Sequence, residues 1–146
     1  MVFLQGASRA AGPCAACLKL VEENRVELFL SARILAEVRD VLTRPKIQRK
    51  FPILTQEYVD VFLHALIRKA TLLPDVPQQF VYERDPKDEP YINVALACGA
   101  AYLVSRDKDL LDLMSELDFR VRFPKLSVVD PIAFLQIYRE DLSVPD

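Results

Sequence analysis

The chain has 146 residues, 51% hydrophobic and 27% charged, which is the composition of one ordinary globular domain covering residues 1–146. A net charge of −2 excludes a strongly basic nucleic-acid coat, but it does not exclude a nuclease, because bound metal ions can supply positive charge at a phosphate. Three cysteines are too few for a disulfide framework or a four-cysteine zinc site. The sequence shows no leader pattern and no apolar run of transmembrane length, so we expect a cytoplasmic protein that does not contact membranes.

The N-terminal half is predicted to alternate short strands with helices. Ser31 is a good N-cap, and the apolar residues that follow it recur at the spacing of one helix face. The predicted elements, in chain order, are a short apolar strand at residues 1–4, a helix at 13–24, a strand at 26–30, a helix from Ser31 to Pro45, and a helix at 55–70.

The C-terminal half continues the same alternation after a proline-containing connector at residues 72–81. Its predicted elements are a helix that opens at Asp88 and ends at Gly99, a strand at 101–105, a short helix at 110–114, a strand at 126–129, and a helix at 131–138. Short strands that alternate with helices predict an α/β fold whose parallel sheet is covered on both faces.

Acidic residues cluster where the predicted strand at 101–105 ends and where the preceding helix begins. Asp107 and Asp109 follow the strand, and Asp88 opens the helix. Ligands of α/β proteins bind at the carboxyl ends of the strands, and clustered carboxylates suit divalent cations acting on phosphates. Each aspartate also has a structural explanation as a helix cap, and Asp85 is interpreted as a turn residue.

Glu37 lies on the flank of the apolar stripe of its helix, a position that suits either a cleft-lining carboxylate or an ordinary surface glutamate. The cations next to the aspartates, among them Lys108, could steer a phosphate backbone or merely balance charge. The chain has three glycines, and they form neither a G-x-G-x-x-G fingerprint nor a phosphate-binding loop, so a nucleotide-cofactor enzyme is disfavoured. A redox role for the C-x-x-C pair Cys14 and Cys17 is also disfavoured.

Three segments in order resemble the PIN domain, in particular the branch of toxins from toxin–antitoxin pairs. They are Ser31-x-x-Ile-Leu-Ala-Glu-Val at residues 31–38, Arg-Asp-Pro-x-Asp at 84–88, and Gly-Ala-x-Tyr-Leu-Val-Ser-x-Asp-Lys-Asp-Leu-Leu at 99–111. The resemblance implies a three-layer α/β/α sandwich around a central parallel sheet. It also implies a ribonuclease that depends on Mg²⁺ or Mn²⁺, in which water attacks the phosphodiester without a protein nucleophile.

Carried over by position, the resemblance assigns catalytic roles to Glu37, Asp88 and Asp107. The same three residues and Asp109 would bind the metal, and Ser105 and Lys108 would bind substrate. The partners it implies are an RNA substrate, a cognate antitoxin protein and a second copy of the chain in a homodimer.

One departure from the family pattern concerns the first strand, which in the family ends in an aspartate. The first aspartate of this chain is Asp40, so we expect the first strand to be truncated and the activity to be impaired. Two alternatives therefore stay open. One is a catalytically inactive PIN remnant that binds RNA, an antitoxin or a second copy. The other is a phospho-acceptor or phosphatase-like α/β domain, disfavoured because no carboxylate pair lies near the N-terminus.

Overall fold

The computed structural model describes residues 2–8 and 11–143, with side chains described as far as residue 140. These residues divide into two compact units. The N-terminal unit is Phe3–Val76, and the C-terminal unit is Pro77–Asp146 together with Met1–Val2. No helix in the described part of the chain is both long enough and apolar enough to span a membrane.

The N-terminal unit contains one pair of parallel strands among helices. Its elements are α1 (Val2–Ser8), α2 (Pro13–Glu22), β1 (Leu28–Ser31), α3 (Ala32–Leu42), α4 (Pro45–Lys50), α5 (Gln56–Lys69) and β2 (Ala70–Leu73). The register places Leu28 of β1 opposite Ala70 of β2, and Ser31 opposite Leu73. A parallel pair needs a crossover connection, which α3, α4 and α5 supply here.

Helix α3 has both the N-cap and the buried apolar face that the spacing of its apolar residues predicts. The Oγ of Ser31 accepts a hydrogen bond from the backbone N–H of Ile34 at 3.1 Å, which is the predicted N-cap. The stripe residues Ile34, Val38 and Leu42 are at most 1% exposed, so this face of the helix is part of the core.

The C-terminal unit has the same plan. Its elements are a 3₁₀ turn (Pro86–Asp88), α6 (Glu89–Cys98), β3 (Tyr102–Val104), α7 (Lys108–Leu111), a 3₁₀ turn (Asp112–Ser115), α8 (Leu117–Arg122), β4 (Ser127–Val129) and α9 (Pro131–Ser143). Strands β3 and β4 are parallel, with Tyr102 opposite Ser127. Gly99 ends α6 with φ 67°, a left-handed conformation that favours glycine, and so delivers the chain into β3.

The α/β class and the parallel strands are confirmed, with the described strands paired two by two. The strand predicted at residues 1–4 is wrong, because residues 2–4 are part of helix α1, and residue 1 lies outside the described residues. Phe3 and Ala7 are four residues apart and both buried, so the apolar segment follows a helical rather than an alternating pattern. Two short helices were also missed: α4 starts at Pro45, the residue predicted only to end α3, and α8 lies at residues 117–122.

Replacement of Ser31 by alanine is expected to lower the free energy of unfolding by about 1 kcal/mol, because α3 loses its cap in a buried environment. Urea denaturation followed by circular dichroism measures this change. Ser115→Ala is the control, since Ser115 is exposed, and it should change the free energy of unfolding by less than about 0.5 kcal/mol. Equal effects of the two substitutions would show that the cap does not stabilise α3.

Candidate metal centre

Three carboxylates converge in the C-terminal unit. Asp85 precedes the 3₁₀ turn before α6, and Asp107 and Asp109 lie after β3, where α7 starts. One oxygen from each of the three carboxylates lies within 4.8 Å of the oxygens from the other two. We call these three residues the acidic cluster. Their arrangement is that of ligands around one hard cation, because oxygen atoms are the donors that such cations prefer.

Backbone hydrogen bonds hold the acidic cluster in place. The Oγ of Ser105 accepts from the N–H of Asp107 at 2.9 Å, and Oδ1 of Asp107 accepts from the N–H of Asp109 at 2.9 Å. Oδ1 of Asp85 accepts from the N–H of Lys87 at 3.3 Å. A carboxylate offers about four lone-pair positions on two oxygens, so these local bonds leave capacity to bind a cation. Capping and metal binding are therefore compatible roles here.

Asp88 is buried beside the cluster with a carboxylate oxygen that has no partner. Its side chain is 7% exposed, and Oδ2 accepts no hydrogen bond from any described residue. Burial, and after it the charge of Asp107 and the charge and hydrogen bond of Asp85, together raise the pKa of Asp88 to about 7. A buried carboxylate without a partner is costly, so a positively charged ligand at this position would relieve a real penalty.

The structure changes the predicted capping role of Asp88. The residue stands at the start of α6, as expected, but its side chain makes no capping hydrogen bond. Asp85 instead accepts the cap hydrogen bond of the preceding 3₁₀ turn. The chain enters α6 through that turn, which carries the Asp88 side chain into a buried position. The structural explanation for an aspartate at position 88 is therefore weakened.

Arg84 supplies positive charge at the edge of the cluster. Its Nη2 lies 2.9 Å from Oδ1 of Asp109 and 2.9 Å from Oδ2 of Asp112. The hydrogen bond with Asp112 raises the pKa of Arg84 above its ordinary value, and the negative charge of Asp109 raises it as well. The hydroxyl of the buried Tyr82 donates to the carbonyl of Asp109 at 2.6 Å. Asp109 is thus held through its side chain and its backbone.

The residues present fit a divalent cation. Their donors are all carboxylate oxygens, they carry like charges at short range, and one neighbouring buried oxygen lacks a partner. Two like-charged carboxylates in one cleft repel each other unless a cation lies between them. Asp85, Asp107 and Asp109, with Asp88 beside them, are the residues that could hold it.

The predicted site residues are only partly brought together. Asp107 and Asp109 are members of the acidic cluster. Asp88 is close enough to the cluster for the charge of Asp107 to raise its pKa. Ser105 supports Asp107 through the backbone, and Lys108 is exposed in the first turn of α7. Glu37 is half-buried in α3 of the other unit, as its place on the flank of the stripe predicts, and its participation in the site stays a prediction.

Sequence reasoning missed Asp85 and Arg84 as members of this site. The Asp-Pro pair at residues 85–86 indicated a turn, and the structure confirms that local role. Nothing in the local pattern showed that the turn also brings Asp85 to Asp107, more than twenty residues later in the chain. The sequence feature that could have indicated a role for Arg84 is its position in the acidic segment, directly before Asp85.

Burial disfavours reactivity of the C-x-x-C pair. Cys14 and Cys17 are both buried in α2 and form no disulfide. Burial, with a smaller contribution from the neighbouring Cys14, raises the pKa of Cys17 to about 11. Because the thiolate is the nucleophilic and metal-binding form, a raised pKa keeps Cys17 inert at neutral pH.

The comparison with protein families assigns the chain that carries this site to a family. The family described as PIN domain matches residues 1–109, a stretch that contains the acidic cluster, Asp88 and Glu37. The chain therefore belongs to the PIN-domain family, whose members are generally nucleases. Searches among curated proteins and among solved structures found no match.

The raised pKa of Asp88 predicts how stability depends on pH. Its pKa rises from an ordinary value of 3.8 to about 7 on folding, so the native state binds this proton more tightly than the unfolded state. The free energy of unfolding should therefore fall as the pH rises from about 4 to about 7, and stay low above that. Asp88→Asn should flatten this fall and stabilise the protein at pH 8 by on the order of 2 kcal/mol.

Urea denaturation in EDTA between pH 4.5 and pH 8 tests this expectation. Asp118→Asn is the matched control, because Asp118 is exposed in α8 and should keep the wild-type pH dependence. If Asp88→Asn also follows the wild-type curve, the Asp88 carboxyl does not bind its proton more tightly in the folded state.

Proposed function

We propose that this PIN-domain protein is a ribonuclease that hydrolyses the phosphodiester bonds of RNA with Mg²⁺ or Mn²⁺. The observation that carries the proposal is the buried, unpartnered oxygen of Asp88 beside three converged carboxylates. Such a group is expensive to maintain in a folded protein unless it has a ligand. In a family of nucleases, the ligand that fits carboxylate oxygens and a phosphate substrate together is a divalent cation.

The residues of the site have separable roles in this proposal. Asp85, Asp107 and Asp109 hold the cation, and Asp88 adds buried negative charge beside them. When bound, the cation lowers the pKa of a water molecule and stabilises charge on the phosphate. Ser105 fixes the backbone that carries Asp107, and Arg84 and Tyr82 fix Asp109.

Substrate binding completes the proposed roles. Lys108 is exposed in the first turn of α7, directly after Asp107, and its proposed role is to bind a phosphate of the RNA backbone. Glu37 is proposed as a further catalytic carboxylate on the strength of the family pattern. Water is the proposed nucleophile, so hydrolysis adds the elements of water across one P–O bond and leaves no covalent intermediate on the protein.

The biological setting follows the resemblance to toxins of toxin–antitoxin pairs. We propose that the chain is such a toxin, that a small antitoxin protein blocks its acidic cluster, and that it forms a homodimer. None of the three cysteines forms a disulfide, which supports a reducing compartment such as the cytoplasm. Size-exclusion chromatography with light scattering tests the homodimer, and a monomeric mass at micromolar concentration would contradict it.

A second candidate is a catalytically inactive PIN domain that only binds RNA, an antitoxin or a second copy. The observation that favours it is Arg84, whose guanidinium already pairs with Asp109 and Asp112. An internal cation of this kind reduces the need for a metal ion. The two candidates differ in whether Mn²⁺ binds to the acidic cluster and whether RNA is cleaved when it does.

Mn²⁺ is expected to raise the melting temperature by roughly 5 °C at concentrations far above its dissociation constant, since it binds the native state preferentially. Asp107→Asn should abolish most of this increase, because Asp107 contributes a ligand oxygen to the cluster. Asp118→Asn should retain it. Differential scanning calorimetry with Mn²⁺ or EDTA measures the effect, and equal increases in both variants would mean that the ion acts non-specifically.

RNA cleavage is the direct test of the proposed reaction. A mixed panel of single-stranded RNA oligonucleotides should be cleaved weakly in Mn²⁺, as the departure from the family pattern predicts, and remain intact in EDTA. Asp107→Asn should reduce the rate by about a hundredfold or more, because the carboxylates act as one site. Cleavage that is equal in Mn²⁺ and EDTA would contradict the proposal. Specific Mn²⁺ binding without any cleavage would instead support the inactive candidate.

A further inference from the structure

Helix α4 presents an exposed basic surface in the N-terminal unit. Lys46, Arg49 and Lys50 are all exposed. They are spaced by three and four residues along the helix, so their side chains lie on the same face, with Cβ atoms about 5–6 Å apart. We call these three residues the basic face.

The basic face has no compensating negative charge. From residue 41 to residue 56 the sequence contains no aspartate or glutamate. The neighbouring Arg44 is paired with Asp40 at 2.8 Å, whereas no ion pair to the three cations is found among the side chains of residues 2–8 and 11–140. This surface is therefore a local positive region on a protein whose net charge is −2.

The helix dipole alone does not explain this concentration of charge. Arg49 and Lys50 lie in the last turn of α4, where the dipole favours cations, but Lys46 lies in the first turn, where it disfavours one. Like charges three and four residues apart also destabilise a helix. The packing side of the helix is formed by other residues, since Ile47 and Phe51 are half-buried. The basic face thus has a cost within the protein, and an anionic ligand would offset it.

We propose that the basic face binds the sugar–phosphate backbone of single-stranded RNA. Neutralisation of phosphates by lysine and arginine releases condensed counterions and supplies sequence-independent affinity. The Nζ of Lys50 lies over the Phe51 ring, 5.5 Å from its centre, so a cation–π contact supports one cation of the basic face. Exposed cations that contact a phosphate backbone are a feature of surfaces that bind single strands, and in a protein proposed to act on RNA they favour RNA over an acidic peptide. The choice of RNA rests on the proposed function, but binding needs neither hydrolysis nor a metal ion.

The test is fluorescence anisotropy of a labelled 12-nucleotide RNA with the full chain in EDTA, over a range of KCl concentrations. The triple variant K46Q/R49Q/K50Q should bind on the order of a hundredfold more weakly at 0.1 M KCl, and its log–log salt slope should fall by about 2. The matched control is R33Q/R68Q/K125Q, which removes the same charge from exposed but scattered positions and should change affinity less than about fivefold.

Single variants keep the proposal testable if the triple variant does not fold. K46Q and R49Q should each weaken binding about fivefold, with a slope change of about 0.7. Equal weakening by the triple variant and its control would overturn the proposal, because net charge alone would then explain binding. No measurable binding of RNA by the wild-type chain would also overturn it.

Competition with polyglutamate of equal charge separates RNA from an acidic protein partner. RNA should displace polyglutamate at a much lower concentration than the reverse, and equal competition would overturn the assignment to RNA. The outcome is distinguishable from that of the proposed function. Binding through the basic face in EDTA without any Mn²⁺-dependent cleavage would refute the ribonuclease and leave this proposal standing.

Discussion

Repulsion among carboxylates is the constraint on which the candidate site depends. Three acidic oxygens lie within 4.8 Å of one another, and a fourth carboxylate, that of Asp88, is buried against them. Folding places these groups together although their charges oppose it. The raised pKa of Asp88 reflects the cost of its burial first and the neighbouring charges of Asp107 and Asp85 second. Natural proteins retain such strained arrangements mainly at functional sites, where the ligand repays the penalty.

The rest of the C-terminal unit can be understood as support for this arrangement. The backbone N–H groups of Asp109 and Lys87 donate to the carboxylates of Asp107 and Asp85, so little side-chain freedom remains to be lost on binding. Arg84 partly neutralises the cluster from its exposed edge. Its ion pairs are solvent-exposed and therefore weak, which leaves room for a divalent cation to compete for Asp109. The site is thus held in shape without being fully neutralised.

The sequence predicts the local features of this protein well and the long-range ones poorly. The cap at Ser31, the stripe of α3 and the stop at Gly99 follow from short-range rules, and the structure confirms them. The approach of Asp85 to Asp107 depends on a tertiary contact that no local pattern encodes. The helix at residues 2–8 was mistaken for a strand because a short apolar run does not distinguish the two.

The central claim is that the acidic cluster holds a divalent cation. Anomalous diffraction from crystals grown with Mn²⁺ tests it most directly, because the anomalous signal locates the metal independently of activity. The account predicts a strong anomalous peak within about 2.5 Å of carboxylate oxygens of Asp85, Asp107 and Asp109. Full-occupancy Mn²⁺ elsewhere in the crystal, with no peak between these three carboxylates, would contradict it.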